Sequence, residues 1–336
     1  MRRIERRKFL AAAAALAAAP LAIAQRRAAS PVLAILSPNP HPTPQFIADN
    51  PFSNRLRSLG WVEGRTLTVE RFYAGGREDR LAGLAEDLVR RNPDVIWAVG
   101  PEAALAAARA TKSIPIVFWG VSYPVEQGLV ESLSRPGRNV TGIAFIPTAE
   151  LHKKRLEILR EVAPSAKRAA ELAVTTATRD VAGRQTPVRR DAVHAAATQL
   201  GIDVREFGVA TQEELLAALP AMLEWRADAL IMGAAFLAVR ERHRIGAFVV
   251  ANRLPSVHGS CDFVEAGGLV SYGPVVPRMF ERAAEYVDQV LRGANVAELA
   301  AELPSDFEVC VNLKTAAAIG ITVPQPLLLR ARKVFE

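Results

Sequence analysis

Residues 95–119, VIWAVGPEAALAAARATKSIPIVFW, decide the fold class of this chain. The first five residues and the last four are short, continuous apolar runs, which are typical of strands buried on both faces. Residues 102–110 between them have the composition and spacing of a helix. A strand, a helix and a second strand in this order predict a parallel sheet that is covered by helices on both faces.

The same alternation continues outward from this unit along most of the chain. Apolar runs at residues 32–36 and 67–72 predict two earlier strands, and a break around residues 137–147 separates this series from a second one. The second series begins with a helix at residues 151–162 and ends with a strand at residues 256–257. Two α/β units of similar length, followed by a tail with too few strands for a third, predict two lobes that share their C-terminal elements.

The composition is that of a folded chain long enough for two domains. Of the 336 residues, 50% are hydrophobic and 23% are charged, a balance that excludes intrinsic disorder. Cys261 and Cys310 are the only cysteines, so the apolar core must provide most of the stability. The sequence leaves open whether these two cysteines form a bridge, and we favour two separate thiols.

The formal net charge of +7 comes mainly from the first 24 residues, which hold five basic side chains and one acidic side chain. The rest of the chain therefore carries a net charge of only +3. Its short basic clusters, at residues 189–190 and 240–244, lack the interleaved aromatic side chains that bind single-stranded nucleic acid. We expect no nucleic-acid partner.

The first 24 residues have the pattern of a signal peptide of the twin-arginine type. The sequence RRKFL at residues 6–10 leads into an alanine-rich apolar stretch with small residues at positions 22 and 24. As a helix, residues 9–24 would be only about 24 Å long, which is too short for a hydrocarbon core of about 30 Å. We therefore predict cleavage before Gln25, a spacer at residues 25–30, and a periplasmic protein that contacts the membrane only through a partner.

Motifs for catalysis are missing from the sequence. It has no G-x-G-x-x-G after a strand, no P-loop, no H-E-x-x-H and no G-x-S-x-G. The five histidines are scattered, with no i, i+4 pair and no cysteine at metal-ligand spacing. We therefore expect no enzyme, no catalytic residue, no cofactor and no metal.

Ligands of an open parallel sheet bind beyond the carboxyl ends of the strands, where loops and helix N-termini leave backbone amides unpaired. The residues that follow the predicted strands are therefore the candidates for ligand binding. In the first unit they are Ser37, Asn39, Gly100, Pro101, Glu102, Trp119, Gly120 and Ser122. In the second unit they are Thr175, Thr176, Phe236, Gly259, Ser260 and Tyr272.

Several of these residues have two roles open to them. The helix that starts near Glu102 offers its N-terminus to a ligand carboxylate, while Glu102 itself either pairs with a ligand amine or interacts with its own helix dipole. The ring of Trp119 is either a stacking surface for a flat ligand or part of the core, and Phe236 presents the same choice. The serine and threonine hydroxyls either bind a ligand or cap turns.

Seven segments spread over the chain resemble the substrate-binding proteins of ABC importers, in the group that includes predicted tryptophan and tyrosine binders. They are LGWVEG at 59–64, AEDLVRR at 85–91, IPIVF at 114–118, GLVESL at 128–133, RPGRNVTG at 135–142, FVEAGGLVSYGP at 263–274 and FEVCVNLKTA at 307–316. The resemblance implies a type I periplasmic-binding fold, in which two Rossmann-like lobes with parallel sheets are joined by three crossovers. The strand-end residues, with a helix start, hydroxyls and flat apolar faces, predict a small polar ligand, amino-acid-like with an aromatic or branched apolar part. The resemblance implies that this ligand is delivered to a permease and its ATPase.

The glycine-rich segment at residues 267–273 is the expected return point between the lobes. We expect lobe 1 to comprise residues 31–143 and 269–300, and lobe 2 to comprise residues 144–268 and 301–336.

Three loops that face the ligand in this family depart from its usual pattern here, at residues 38–52, 121–124 and 233–235. The identity of the ligand is therefore open. A DNA-binding repressor with the same fold is disfavoured, because an export signal occupies the place of its helix-turn-helix. Delivery of the ligand to a sensor kinase and an exported enzyme remain as alternatives.

Overall fold

The computed structural model describes residues 30–145, 149–174 and 188–336. The predicted signal peptide lies outside the described residues, as do Thr175 and Thr176. The side chain of Phe236 is also outside the description.

The first sheet is built from five strands that all run parallel. In chain order they are β1 (Val32–Ser37), β2 (Thr68–Tyr73), β3 (Val95–Val99), β4 (Ile116–Val121) and β5 (Val140–Ala144). Their spatial order is β2-β1-β3-β4-β5. The helices along this part of the chain are α1 (Pro44–Asp49), α2 (Pro51–Ser58), α3 (Leu81–Arg90) and α4 (Pro101–Ala110), with a 3₁₀ turn at Glu78–Arg80.

The second sheet has seven strands, and only one neighbouring pair is antiparallel. Its strands are β6 (Arg168–Val174), β7 (Asp203–Val209), β8 (Ala229–Met232), β9 (Ser256–His258), β10 (Val270–Pro274), β11 (Phe307–Asn312) and β12 (Ala331–Phe335). They lie in the order β12-β11-β10-β9-β8-β6-β7, with β10 antiparallel to β11. The helices of this part are α5 (Ala149–Val162), α6 (Val188–Gln199), α7 (Gln212–Glu224), α8 (Phe236–Arg240), α9 (Arg242–Ala251), α10 (Cys261–Glu265), α11 (Val276–Leu291), α12 (Leu313–Ile319) and α13 (Gln325–Arg330). Two sheets of mostly parallel strands with flanking helices confirm the predicted fold class.

Local sequence explains where several helices begin. Asn50 caps α2 by accepting a hydrogen bond from the backbone amide of Ser53 at 2.9 Å, and Pro51 occupies the first helical position. Helix α7 begins with a capping box between Thr211 and Glu214, in which each side chain satisfies a backbone amide of the other residue. Such caps fix the residue at which each helix begins.

The first sheet is packed on both faces, as the continuous apolar run of β4 requires. Ile116 and Phe118 face the core that includes α3 and α4, whereas Val117 and Trp119 face the core that includes α2 and α11. Burying one phenylalanine side chain contributes about 1.5–3 kcal/mol. Both helical layers therefore hold the strand in place and fix its carboxyl end.

Strand β10 lies in the second sheet, although the sequence analysis expects residues 269–300 in the first lobe. β10 pairs with β9 and with β11, and the chain leaves the second sheet after Pro274. Helix α11 then packs on α2 and β4 of the first lobe. A short apolar strand fits either sheet, and its hydrogen-bonding partners decide which sheet it joins.

A strand also lies where the sequence predicts only a break. Residues 140–144 form β5 because Gly142 permits a close approach to β4, and a Cβ atom at this position would lie 2.1 Å from the carbonyl oxygen of Phe118. The glycine weakens the strand pattern in the sequence while it allows the pairing in the structure.

The third crossover between the lobes is attached to the first lobe as far as Glu302. The carbonyl oxygen of Glu302 accepts a hydrogen bond from the amide of Ala144 at 2.8 Å. Its carboxylate accepts two hydrogen bonds from Arg282 of α11, at 2.7 and 2.5 Å. Only residues 303–306 then remain before β11 begins in the second sheet.

Candidate functional site

Ser37 and Asn39 hold the loop after β2 at the carboxyl edge of the first sheet. The amide of Ala74 donates to the carbonyl oxygen of Ser37 at 2.9 Å, and the amide of Gly75 donates to that of Asn39 at 3.0 Å. The Ser37 hydroxyl accepts from the amide of Asn39 at 3.2 Å. These predicted site residues are therefore part of a fixed backbone rim rather than of a mobile loop.

Gly100, Pro101 and Glu102 form the start of α4 at the same edge. Gly100 is the N-cap residue, and its amide donates to the carbonyl oxygen of Trp119 at 2.8 Å. Pro101 is buried at the first helical position and Glu102 is half-buried in the first turn. The positive end of the α4 dipole thus lies at the edge where the predicted ligand would bind.

Trp119 and Gly120 lie at the end of β4. The ring of Trp119 is only 7% exposed and stacks on Phe280 of α11, with ring centroids 4.2 Å apart. Of the two roles that the sequence allows for Trp119, the structure records the packing role. Gly120 lies at an irregularity in the pairing of β4 with β5.

Ser122 directly follows β4 and connects it to the residue that follows β5. Its hydroxyl donates to the carbonyl oxygen of Phe145 at 3.0 Å, and its own carbonyl oxygen accepts from the side chain of Gln127 at 2.7 Å. The next residue, Tyr123, is buried and has a φ of 54°. Strained, positive-φ residues other than glycine are concentrated at functional sites, so Tyr123 joins the candidates.

Sequence reasoning missed an aromatic pair at the same edge. The ring of His41, in the proline-rich loop, lies 5.0 Å from the ring of Tyr73, the last residue of β2. Partial burial raises the pKa of the Tyr73 hydroxyl. The sequence does show that Tyr73 directly follows the strand predicted at residues 67–72, but it does not define the path of the loop that carries His41.

Gly259 and Ser260 lie together at the carboxyl edge of the second sheet, after β9. A Cβ atom at Gly259 would lie 2.3 Å from the backbone nitrogen of Ala234, so the loops after β8 and β9 touch at this point. The Ser260 side chain is 4% exposed, and its hydroxyl makes no hydrogen bond to any described residue. Leaving a buried hydroxyl without a partner costs about 1–3 kcal/mol, which marks Ser260 as the second lobe's strongest candidate.

Tyr272 has different surroundings from the other predicted site residues. It lies in the middle of β10, and its ring stacks on Phe307 with the centroids 5.8 Å apart. Its carbonyl oxygen accepts a hydrogen bond at 2.9 Å from Nε of Arg155, whose side chain on α5 is only 2% exposed. The contacts of Tyr272 therefore join β10 to α5 and to the start of β11.

His258, the last residue of β9, is a structural imidazole. Burial, together with the charge of Arg155, lowers the pKa of His258 to about 3. One ring nitrogen bonds to the Ser256 hydroxyl at 2.8 Å, and the ring stacks on Phe263. The ring is therefore neutral at physiological pH.

Cys261 and Cys310 form a disulfide, so the interpretation as two separate thiols is wrong. Their Cα atoms are 5.6 Å apart, within the usual range for a disulfide. Cys310 lies on β11 and Cys261 begins α10, the helix that follows Ser260. With Glu308 they also form a group at metal-ligand spacing, but the disulfide occupies both sulfur atoms.

The structure gathers the predicted residues at two edges, one on each lobe. Those with described side chains fall at strand ends, apart from Tyr272. Separately, none of the described helices is long and apolar enough to cross a bilayer. The first edge carries Ser37, Asn39, Gly100, Pro101, Glu102, Trp119, Gly120 and Ser122, and the second carries Gly259 and Ser260. Backbone amides, a helix N-terminus and a buried hydroxyl are groups that bind a small polar molecule.

Comparison with known proteins gives a match over nearly the whole chain. The family described as "ABC transporter substrate binding protein" matches residues 33–335. A curated protein described as "Tyrosine-binding protein", from Clostridioides difficile (strain R20291), is 26% identical over 270 residues, which is 80% of this chain and 75% of that protein.

Two solved structures are similar in fold, and in each case the aligned region covers 91% of this chain and 100% of the other chain. One is a conserved domain protein from Vibrio cholerae, with 23% identity and a TM-score of 0.81. The other is described as an ABC domain in complex with L-Trp from Streptococcus pneumonia, with 22% identity and a TM-score of 0.81. These likenesses show a common fold.

Proposed function

The chain belongs to the family of ABC transporter substrate binding proteins, and from that premise we propose that it binds an aromatic amino acid between its lobes. The family binds solutes and works with a permease; it is not a family of catalysts. Its fold is the type I periplasmic-binding fold. The names of the relatives, a tyrosine-binding protein and a complex with L-Trp, support the choice of an aromatic side chain.

The observation that carries the proposal is the buried, unbonded hydroxyl of Ser260 at the carboxyl edge of the second sheet. A ligand amine or carboxylate would satisfy this hydroxyl. The N-terminus of α4 on the first lobe favours a carboxylate, and the rings of His41 and Tyr73 supply an aromatic surface.

Contacts from both lobes are needed for the ligand to close the cleft. Shifting an equilibrium from 99:1 open to 99:1 closed requires about 5.5 kcal/mol of differential affinity. A ligand bound to one lobe does not distinguish the open form from the closed form. We propose that the first lobe comprises residues 30–145 with 275–302, and the second residues 149–274 with 303–336, so that the ligand contacts Gly100 on one and Ser260 on the other.

Export and delivery complete the proposal. Family members act outside the cytoplasm, and the twin-arginine pattern of residues 6–10 supports export to the periplasm. The partner would be an ABC permease with its ATPase. Crosslinking of the mature protein in intact cells separates this partner from a sensor kinase.

The test is calorimetric titration of the protein beginning at Gln25 with L-tyrosine, L-tryptophan, L-phenylalanine and L-leucine. We expect binding of an aromatic member and, by small-angle scattering, a more compact particle when it is bound. Absence of binding by all four would contradict the proposed ligand class, and turnover of the ligand would place the protein among the enzymes.

Ser260→Ala tests the site itself. Losing one hydrogen bond should weaken binding about fivefold, while the ligand-free protein keeps or gains stability because an unsatisfied hydroxyl is removed. Ser58→Ala, at an exposed serine of α2, is the matched control and should leave binding unchanged. A loss of stability with unchanged affinity would show that Ser260 serves the fold rather than the ligand.

A further inference from the structure

A guanidinium of the second lobe reaches the loop that follows β2 on the first lobe. Arg240 ends α8, the helix that follows the β8 strand end. Its Nη1 lies 2.9 Å from the position that a Cβ atom would take at Gly76 of the first lobe. Any side chain at residue 76 would therefore displace the arginine.

The loop that receives Arg240 has a fixed backbone. The amides of Ala74, Gly75 and Gly76 donate to the carbonyl oxygens of residues 37, 39 and 38, at 2.9, 3.0 and 2.8 Å. Gly76 has a φ of 83°, a conformation that favours glycine. The backbone conformation thus favours glycine at this position, and a side chain here would move the guanidinium of Arg240.

Arg240 also forms an ion pair with Glu241 on its own lobe. Its Nε lies 3.5 Å from Oε1 of Glu241, and the other oxygen of this carboxylate is 3.2 Å from Nη1 of Arg244. The Glu241 side chain is only 7% exposed, so it is a fixed anchor for both arginines. Of the two, Arg240 is the one that points at the first lobe.

The charge that complements Arg240 on the first lobe belongs to Glu78. This carboxylate begins the 3₁₀ turn two residues after Gly76 and lies at the surface. Burial raises its pKa, and the positive charge of Arg240 acts in the opposite direction. Arg240 therefore meets both a tightly fitting backbone and an acidic side chain.

We propose that Arg240 is the closing contact between the lobes, a guanidinium that stabilises the closed form by docking on Gly76 and facing Glu78. The role of closure in ligand binding rests on the proposed function, but the contact stabilises the closed form of the ligand-free protein as well. It sets the fraction of ligand-free molecules that are already closed, and through that fraction it sets the apparent affinity.

The experiment measures the distance between the lobes in ligand-free protein. Glu86→Cys on α3 and Glu224→Cys on α7 place dyes for energy transfer at exposed positions, and both native cysteines are already bonded to each other. In this background Arg240→Gln should lower the ratio of closed to open molecules about threefold, the size expected for a partly exposed charge contact. Arg244→Gln shares the Glu241 anchor and should change nothing.

Salt and a second variant complete the test. Raising the salt concentration should lower the closed fraction of the unmodified protein, and Glu78→Gln should reduce this response. An unchanged closed fraction in Arg240→Gln, or an equal change in Arg244→Gln, would overturn the proposal. Failure of L-tryptophan and L-tyrosine to bind would count against the proposed function alone, because the ligand-free distances do not depend on it.

Discussion

Reducing the Cys261–Cys310 disulfide should destabilise the part of the second lobe that carries Ser260. The bond links positions 49 residues apart, and the chain between them leaves the second lobe to form α11 and then returns. For a loop of this length, the chain-entropy model gives a contribution of about 4 kcal/mol to the free energy of unfolding. Because β10 and β11 are also hydrogen-bonded to each other, this figure is an upper value.

Hydrogen exchange followed by mass spectrometry shows which lobe loses stability when the disulfide is reduced. With a phosphine reductant, peptides covering β9, β10 and α10 should exchange faster, whereas peptides covering β3 should keep their protection. Replacing both cysteines with serine should reproduce the loss without reductant, and the reductant should have no further effect on that variant. L-tryptophan binding should weaken in parallel, since Cys261 directly follows Ser260.

The entropic reasoning would be refuted by one combination of results. If thiol titration finds two free thiols after reduction while the free energy of unfolding is unchanged, the bridge does not constrain the unfolded chain as supposed. An equal loss of protection in β3 would show that the two lobes unfold as one unit.

Two further predictions concern packing and protonation. Gly259→Ala should cost at least about 1–3 kcal/mol, since the added methyl meets the backbone of Ala234, whereas Gly83→Ala, with no atom within 4 Å, should stabilise α3 by about 0.4–1 kcal/mol in urea denaturation. The folded pKa of His258 is about 3 against an unfolded value near 6.5, so the unfolded state binds more protons between these values. Stability should be fully present above about pH 6.5 and fall by up to about 1.4 kcal/mol per pH unit below it. His258→Gln should flatten this dependence in urea denaturation at pH 7 and pH 5, while the exposed His194→Gln should retain it.

The first sheet could be predicted from the sequence because its strands are local apolar runs. β1, β3 and β4 fall where residues 32–36, 95–99 and 116–119 predict them. The sheet joined by β10 could not be predicted, because that choice depends on hydrogen bonds to β9 and to β11, which follows some 30 residues later. β5 was missed for a similar reason, since the partner of Gly142 is Phe118 rather than a sequence neighbour.

The candidate site was predictable only in its location. Strand ends followed from topology, and Ser37, Gly100, Gly259 and Ser260 lie there. The burial of Trp119 depends on Phe280, which lies 161 positions further along the chain, so no local pattern reveals it. The disulfide and the His41–Tyr73 pair are likewise contacts between residues that only the tertiary fold brings together.

The connections between the lobes determine how the cleft can open. Val275 alone separates β10 from α11, and its amide donates to the carbonyl oxygen of Asp306 at 3.0 Å, so the second and third crossovers are tied side by side. In these two described connections only Val275 and residues 303–306 link the sheets, and Pro304 restricts one backbone torsion angle. We therefore expect opening to be a rigid-body rotation of one lobe about a hinge close to Val275. In such a rotation a residue moves in proportion to its distance from the axis, so we expect the largest displacement at the parts of each lobe furthest from Val275.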